Sequence, residues 1–124
     1  MKSVIGHIIQ FCVDGEKTRF VVDKLEFVVG RSKKSDLIID NNLLSSRHFK
    51  VRFDGKNVYL TDLDSTNGTY YNSVHLTPNQ EMKYEYGRKI YIAQKGSIYF
   101  QVAQQLGEVK KVVDQGVQVV IIAG

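Results

Sequence analysis

The residues able to do chemistry gather in three short stretches: Gly30-Arg31-Ser32-Lys33-Lys34-Ser35-Asp36, Asn41-Asn42-Leu43-Leu44-Ser45-Ser46-Arg47-His48 and Asp62-Leu63-Asp64-Ser65-Thr66-Asn67-Gly68-Thr69. Each offers hydrogen-bond donors: a guanidinium, hydroxyls, an amide, or backbone N–H groups beside a glycine. That inventory suits a phosphate. Arginine supplies a charged, bidentate fork, hydroxyls supply neutral donors, and turn amides form an anion-binding concavity. Ser45, His48 and Asp62 or Asp64 also have the residue types of a hydrolytic triad. Ser45 and His48 stand three apart at the start of a strand, and nothing places a carboxylate behind the imidazole, so nucleophilic catalysis is set aside. The chain has no glycine-rich loop opening a helix and no cluster of metal-ligating types, and Cys12 alone cannot build a Cys-rich zinc site. No cofactor and no metal are expected.

The segments around these stretches read as strands and turns. Val4 to Val13 is rich in β-branched residues, Asp14-Gly15 is a turn pair, and Thr18 to Val22 follows, which predicts a hairpin. Leu25 to Val29 is a short apolar run ending at Gly30, and Leu37-Ile38-Ile39 is a short run expected to be buried. Phe49, Val51 and Phe53 alternate with Lys50 and Arg52, the period of a half-buried strand. Asp54-Gly55 turns the chain into Val58-Tyr59-Leu60, and Lys95-Gly96 separates Ile90–Ile92 from Ile98–Val102. No helical period is evident before residue 103. Many short strands with regular turn signals predict an all-β sandwich or barrel.

Composition bounds the reading. At 124 residues the chain supports one domain, and 43% apolar with 24% charged residues is ordinary for a globular one. A single cysteine rules out an internal disulfide. The net charge of +4 suits an anionic partner, but the cations are scattered, which disfavours a nucleic-acid tail. No apolar run approaches the roughly 18 residues of a membrane span, and His7 and Gln10 interrupt any signal-peptide core. A soluble intracellular domain with no membrane partner is expected. Residues 1–106 form the expected domain. Residues 107–124, rich in valine and isoleucine, are either its last strand or short helix, or the start of a linker or a next domain.

At Gly30-Arg31, Ser45 to His48, and Asp62 to Thr69 with Asn72 following, the chain resembles the forkhead-associated (FHA) domain family. The resemblance covers about residues 25–102. It implies a sandwich of two antiparallel sheets with binding loops at one end, of the SMAD/FHA type, and recognition of phosphothreonine in a partner protein. It assigns the phosphate to Arg31, Ser45 and Thr66 and the partner's backbone to Asn67. It gives Gly30, His48, Gly68 and Asn72 loop-bracing roles, and makes Ser46, Arg47 and Lys33 candidate contacts to residues flanking the phosphothreonine. Read without the resemblance, Asn67-Gly68 is a type I′ hairpin turn; the turn and the binding role can coexist.

Two features depart from the family pattern. Arg47 stands one place later than the frequent Ser-Arg-x-His arrangement, so Ser46 offers a neutral contact in place of a charged one. Ser73 and Gly87-Arg88 replace a common glycine and a common Gly-Asp, changes expected to alter turns and not the pocket. Family analogy suggests a monomeric, non-catalytic domain. It would sit beside a protein kinase of checkpoint or meiotic type, in DNA-damage or cell-cycle signalling in the nucleus. The alternative is a phosphate-independent interaction scaffold of the same fold.

Overall fold

A computed structural model of the chain describes residues 2–93, 96, 98–112 and 116–122, and for residues 2 and 108–122 the backbone alone. Among the described residues twelve strands run in the order β1(Lys2–Val13), β2(Glu16–Val22), β3(Glu26–Gly30), β4(Leu37–Ile38), β5(Phe49–Phe53), β6(Val58–Asp62), β7(Thr69–Tyr71), β8(Val74–His75), β9(Met82–Tyr84), β10(Lys89–Ile92), β11(Ile98–Val112) and β12(Gly116–Ile122). No helix occurs among the described residues. One sheet has the order β2-β1-β11-β10-β7-β8, with β12 also paired to β11; the other has the order β4-β3-β5-β6-β9.

The hairpins follow their turn residues. Val13 pairs with Glu16 across Asp14 (φ 50°) and Gly15 (φ 83°), so both central residues have the positive φ of a type I′ turn. Phe53 pairs with Val58, and the intervening turn is held by Asp54 Oδ1, which accepts from the N–H groups of Lys56 (2.9 Å) and Asn57 (2.7 Å). The β10–β11 pairing joins Ile90 to Phe100 as the apolar runs imply, while Lys95 of the expected turn lies outside the described residues.

The region of β3 and β4 differs from the antiparallel, wholly buried arrangement expected of it. The β3–β4 pair is parallel, Val29 beside Leu37 and Gly30 beside Ile38, because loop 31–36 doubles back and delivers the chain alongside β3 in the same direction. Ile38 is half exposed, while Leu37 and Ile39 are buried, since successive strand residues face opposite ways. β11 runs through residue 107 without a break and pairs with β12 from Leu106 to Val112; residues 113–115, 123 and 124 lie outside the described residues.

Inward-facing residues of both sheets make the core. Phe27, Phe49, Phe100, Ile9, Leu60 and Ile90 are fully buried, and burial of each such side chain is worth roughly 1.5–3 kcal/mol. Phe49 of one sheet meets Phe100 of the other edge to face, ring centroids 5.2 Å apart. This core fixes the strand ends from which loops 31–36, 40–48 and 63–68 project.

Candidate functional site

The site begins with a close approach. A Cβ on Gly30 would land on the Ser46 carbonyl oxygen and Ser35 Oγ, and 2.8 Å from Arg47 Cα. Glycine therefore lets the end of β3 touch the Ser45–Arg47 segment, and the backbones bond there. Arg31 N–H donates to the Ser45 carbonyl (2.9 Å) and Ser32 N–H to the Ser46 carbonyl (3.1 Å). The Ser46 carbonyl also accepts from the hydroxyls of Ser35 (2.7 Å) and Ser32 (3.1 Å). Loop 31–36 is closed by Asp36, whose carboxylate accepts from Val28 N–H (2.8 Å) and pairs with Lys24 (2.7 Å). The Lys24 ammonium, then the Val28 N–H, hold the Asp36 carboxyl below its usual range.

His48 is fully buried and joins two loops. Its Nδ1 accepts from Ser45 N–H (3.0 Å), and its Nε2–H donates to the Gly68 carbonyl (3.0 Å). A backbone N–H can only donate and a carbonyl can only accept, so these partners require the neutral Nε2–H tautomer. Burial pushes the His48 imidazole below its ordinary pKa, against the Gly68 bond and the Asp62 charge, which raise it. Both ring nitrogens are committed to backbone groups, so His48 is no general base for Ser45.

The third loop is organised by Asp62, itself buried at the end of β6. Its carboxylate accepts from the Ser65 hydroxyl, from Ser65 N–H (3.1 Å) and from the Thr69 hydroxyl (2.6 Å). Ser65 Oγ in turn accepts from Gly68 N–H (3.1 Å). Gly68 has φ 87°, whereas Asn67 is not among the residues with positive φ, so Asn67-Gly68 is not a type I′ turn. Asn67 Nδ2 instead donates to the Leu43 carbonyl (2.9 Å) and ties the third loop to the second. Its Oδ1 and second amide hydrogen remain for a ligand.

These bonds bring most of the expected site residues to one end of the sandwich. Ser45 Oγ accepts from Thr66 N–H (2.9 Å), which keeps the Ser45 hydroxyl hydrogen available to a ligand. Arg31 and Thr66 are exposed, and among the described residues the Arg31 guanidinium has no carboxylate partner. Lys33 on loop 31–36 and Ser46 and Arg47 on loop 40–48 are exposed as well. Asn72 stands apart. It is at the tip of the β7–β8 hairpin, where Asn72 (φ 52°) and Ser73 (φ 63°) form a two-residue turn between Tyr71 and Val74. It shapes that turn through its backbone.

Sequence reasoning gave Asp62, Ser65, Ser35 and Asp36 no structural role, yet they hold the loops. An aspartate three residues before a serine, in a loop leaving a strand, is the signal that could have identified Asp62 and Ser65.

The FHA domain family model matches residues 27–93, more than half of the chain. Glycogen accumulation regulator GarA of Mycolicibacterium smegmatis is 36% identical over 55 residues, which cover 44% of this chain and 35% of that protein. A structure from a study of phosphothreonine-dependent FHA domain interactions is 26% identical, with a TM-score of 0.60 over 77% of this chain and 94% of that one. The FHA domain of CT664 from Chlamydia trachomatis shares the fold at 17% identity, with a TM-score of 0.65 over 79% and 96%. The chain thus spans about a third of the length of the curated relative. With the family model over the loop-bearing strands and the bracing network in place, the chain belongs to the FHA domain family of non-catalytic protein-interaction modules.

Proposed function

We propose that Arg31, Ser45 and Thr66 hold the phosphate of a phosphothreonine in a partner protein, and that Asn67 pairs with the partner's backbone. The reading is supported by the bonded junction of three loops, which joins the backbone of Arg31 to Ser45 and Ser45 Oγ to the backbone of Thr66, with Arg31 exposed and without a carboxylate partner among the described residues. A phosphothreonine brings about −1.5 to −2 charge and three acceptor oxygens, and a charged hydrogen bond is worth roughly 1.5–3 kcal/mol. Three such donors suit a reversible contact of micromolar affinity, about −8 kcal/mol. Ser46, Arg47 and Lys33 contact the flanking residues, with Ser46 as a neutral donor. Threonine is preferred to serine through burial of its methyl group, worth about 0.8 kcal/mol.

The isolated domain acts as a monomer. The sequence relatives are bacterial, so the nuclear, DNA-damage and cell-cycle setting expected from family analogy draws no support from them, nor does attachment to a checkpoint or meiotic kinase. The test is an oriented phosphothreonine peptide library with unphosphorylated, phosphoserine and Arg31→Ala controls. Binding that requires both phosphothreonine and Arg31 supports the reading. Binding indifferent to phosphate would replace it with a phosphate-independent scaffold.

A further inference from the structure

The seven-stranded sheet turns one face away from the core, and on that face Arg19 and Lys89 have no carboxylate partner among the described residues. Cross-strand partners share a face, so Arg19, Gln10, Gln101 and Lys89 form one outward row across β2, β1, β11 and β10. Tyr99 and Tyr91 form the adjacent outward row. Two open cavities lie along the Arg19–Lys89 row, of about 340 and 190 Å³, and both are lined by Gly87 and Gln101. They are therefore two halves of one trough crossing the strands. Its floor is fixed: Gln10 Nε2 donates to Gln101 Oε1 (3.0 Å) and Gln101 Nε2 to the Gly87 carbonyl (2.9 Å). Arg88 at the rim is paired with Glu85 (3.1 Å), but Arg19 and Lys89 have no carboxylate partner among the described residues. The outer face of the other sheet is different, because there Lys50 pairs with Glu26 (3.6 Å) and Arg52 with Glu81 (2.8 Å).

We infer that this trough docks an extended acidic segment of a partner protein, at a site separate from the phosphothreonine loops. The trough spans four strands at about 4.8 Å spacing, the reach of roughly five extended residues. Cations at both ends and amides between them match a strand-like chain with carboxylates at both ends. A single-stranded nucleic acid fits less well. Lys89 Nζ sits 4.6 Å over the Tyr99 ring and His75 stacks on Tyr70 at 4.7 Å, so one face of each of these two rings, on which a base would stack, is already taken.

The test is an amide NMR titration of the full chain with an unphosphorylated ten-residue peptide of alternating glutamate and serine. We expect saturable shifts at Arg19, Lys89 and Gln101, with Arg31, Ser45 and Thr66 unmoved. Arg19→Glu with Lys89→Glu should weaken the peptide at least tenfold, while Arg31→Ala leaves its affinity unchanged. Both substitutions are on exposed positions, and an unchanged melting temperature confirms the fold. Shifts confined to the phosphothreonine loops, equal binding by the double variant, or no saturation would each overturn the proposal. So would tighter binding of a ten-nucleotide oligothymidylate on the same face. Phosphothreonine binding by the double variant, measured alongside, reports on the loop site independently.

Discussion

At the scale of single residues, the proposed site divides into groups offered to the phosphate and groups that hold them there. Arg31 belongs to the first. Arg31→Ala is expected to lower phosphopeptide affinity at least tenfold, the loss of a charged contact of about 1.5–3 kcal/mol, with a melting temperature within a degree of the parent. A calorimetric titration beside a thermal melt checks both halves. His48 belongs to the second, and its chemistry gives a pH dependence. His48 and His7 are buried, and burial lowers both below the ordinary value of 6.5. The unfolded chain therefore binds more protons than the folded one between the folded values and 6.5. Their contribution to stability is complete above 6.5 and is lost as pH falls through the folded values. Denaturant unfolding of the free domain from pH 8 to 4 should show this decline. In His48→Gln, which is expected to be less stable at pH 7.5, the decline should be shallower; an unchanged slope would contradict the buried neutral tautomer.

At the scale of elements, turns and close approaches decide how the loops are presented. Ser73 holds φ 63° at an exposed hairpin position, a conformation that costs a side-chain-bearing residue about 1–2 kcal/mol. Ser73→Gly removes that cost and adds some unfolded-state entropy, so a net gain of about 0.5–1 kcal/mol is expected in chemical denaturation. Gly30→Ala acts in the opposite sense. Its methyl meets backbone atoms of Ser46 and Arg47, so a loss of about 1–3 kcal/mol and weakened phosphopeptide binding are expected together. These cases show what the sequence discloses. Asp14-Gly15, Asp54-Gly55 and the Phe49–Phe53 alternation are local signals, and each produced the expected hairpin or strand. The parallel return of Leu37 beside Val29 was not legible, because it depends on Asp36 reaching Val28 and Lys24. The bracing by Asp62 was hidden for the same reason: its partners are chosen by the folded loop and not by a periodic pattern. Residue types alone pointed to three donor-rich stretches suited to a phosphate; grouping Arg31, Ser45 and Thr66 into one proposed phosphate site came from the resemblance, since they lie far apart in sequence.

At the scale of the molecule, the phosphothreonine rim depends on strands that lie outside its three loops. The family match begins at residue 27, yet β1 and β2 complete one of the two sheets and bring Ile9, Phe11 and Val22 into the core. A chain beginning at Leu25 would leave one side of β11 unpaired and should fail to fold, with neither the dispersed amide spectrum nor the phosphopeptide binding of the full chain. The sandwich thus serves as a rigid frame whose one end presents donors and whose charged outer face is free to meet an acidic segment. The most direct test of the central claim is an amide and arginine side-chain NMR titration of the full chain with one phosphothreonine peptide and its unphosphorylated twin. The Arg31 guanidinium and the Ser45 and Thr66 amides are expected to shift with the phosphopeptide only. Equal shifts with both peptides, or shifts that leave Arg31 untouched, would contradict that claim.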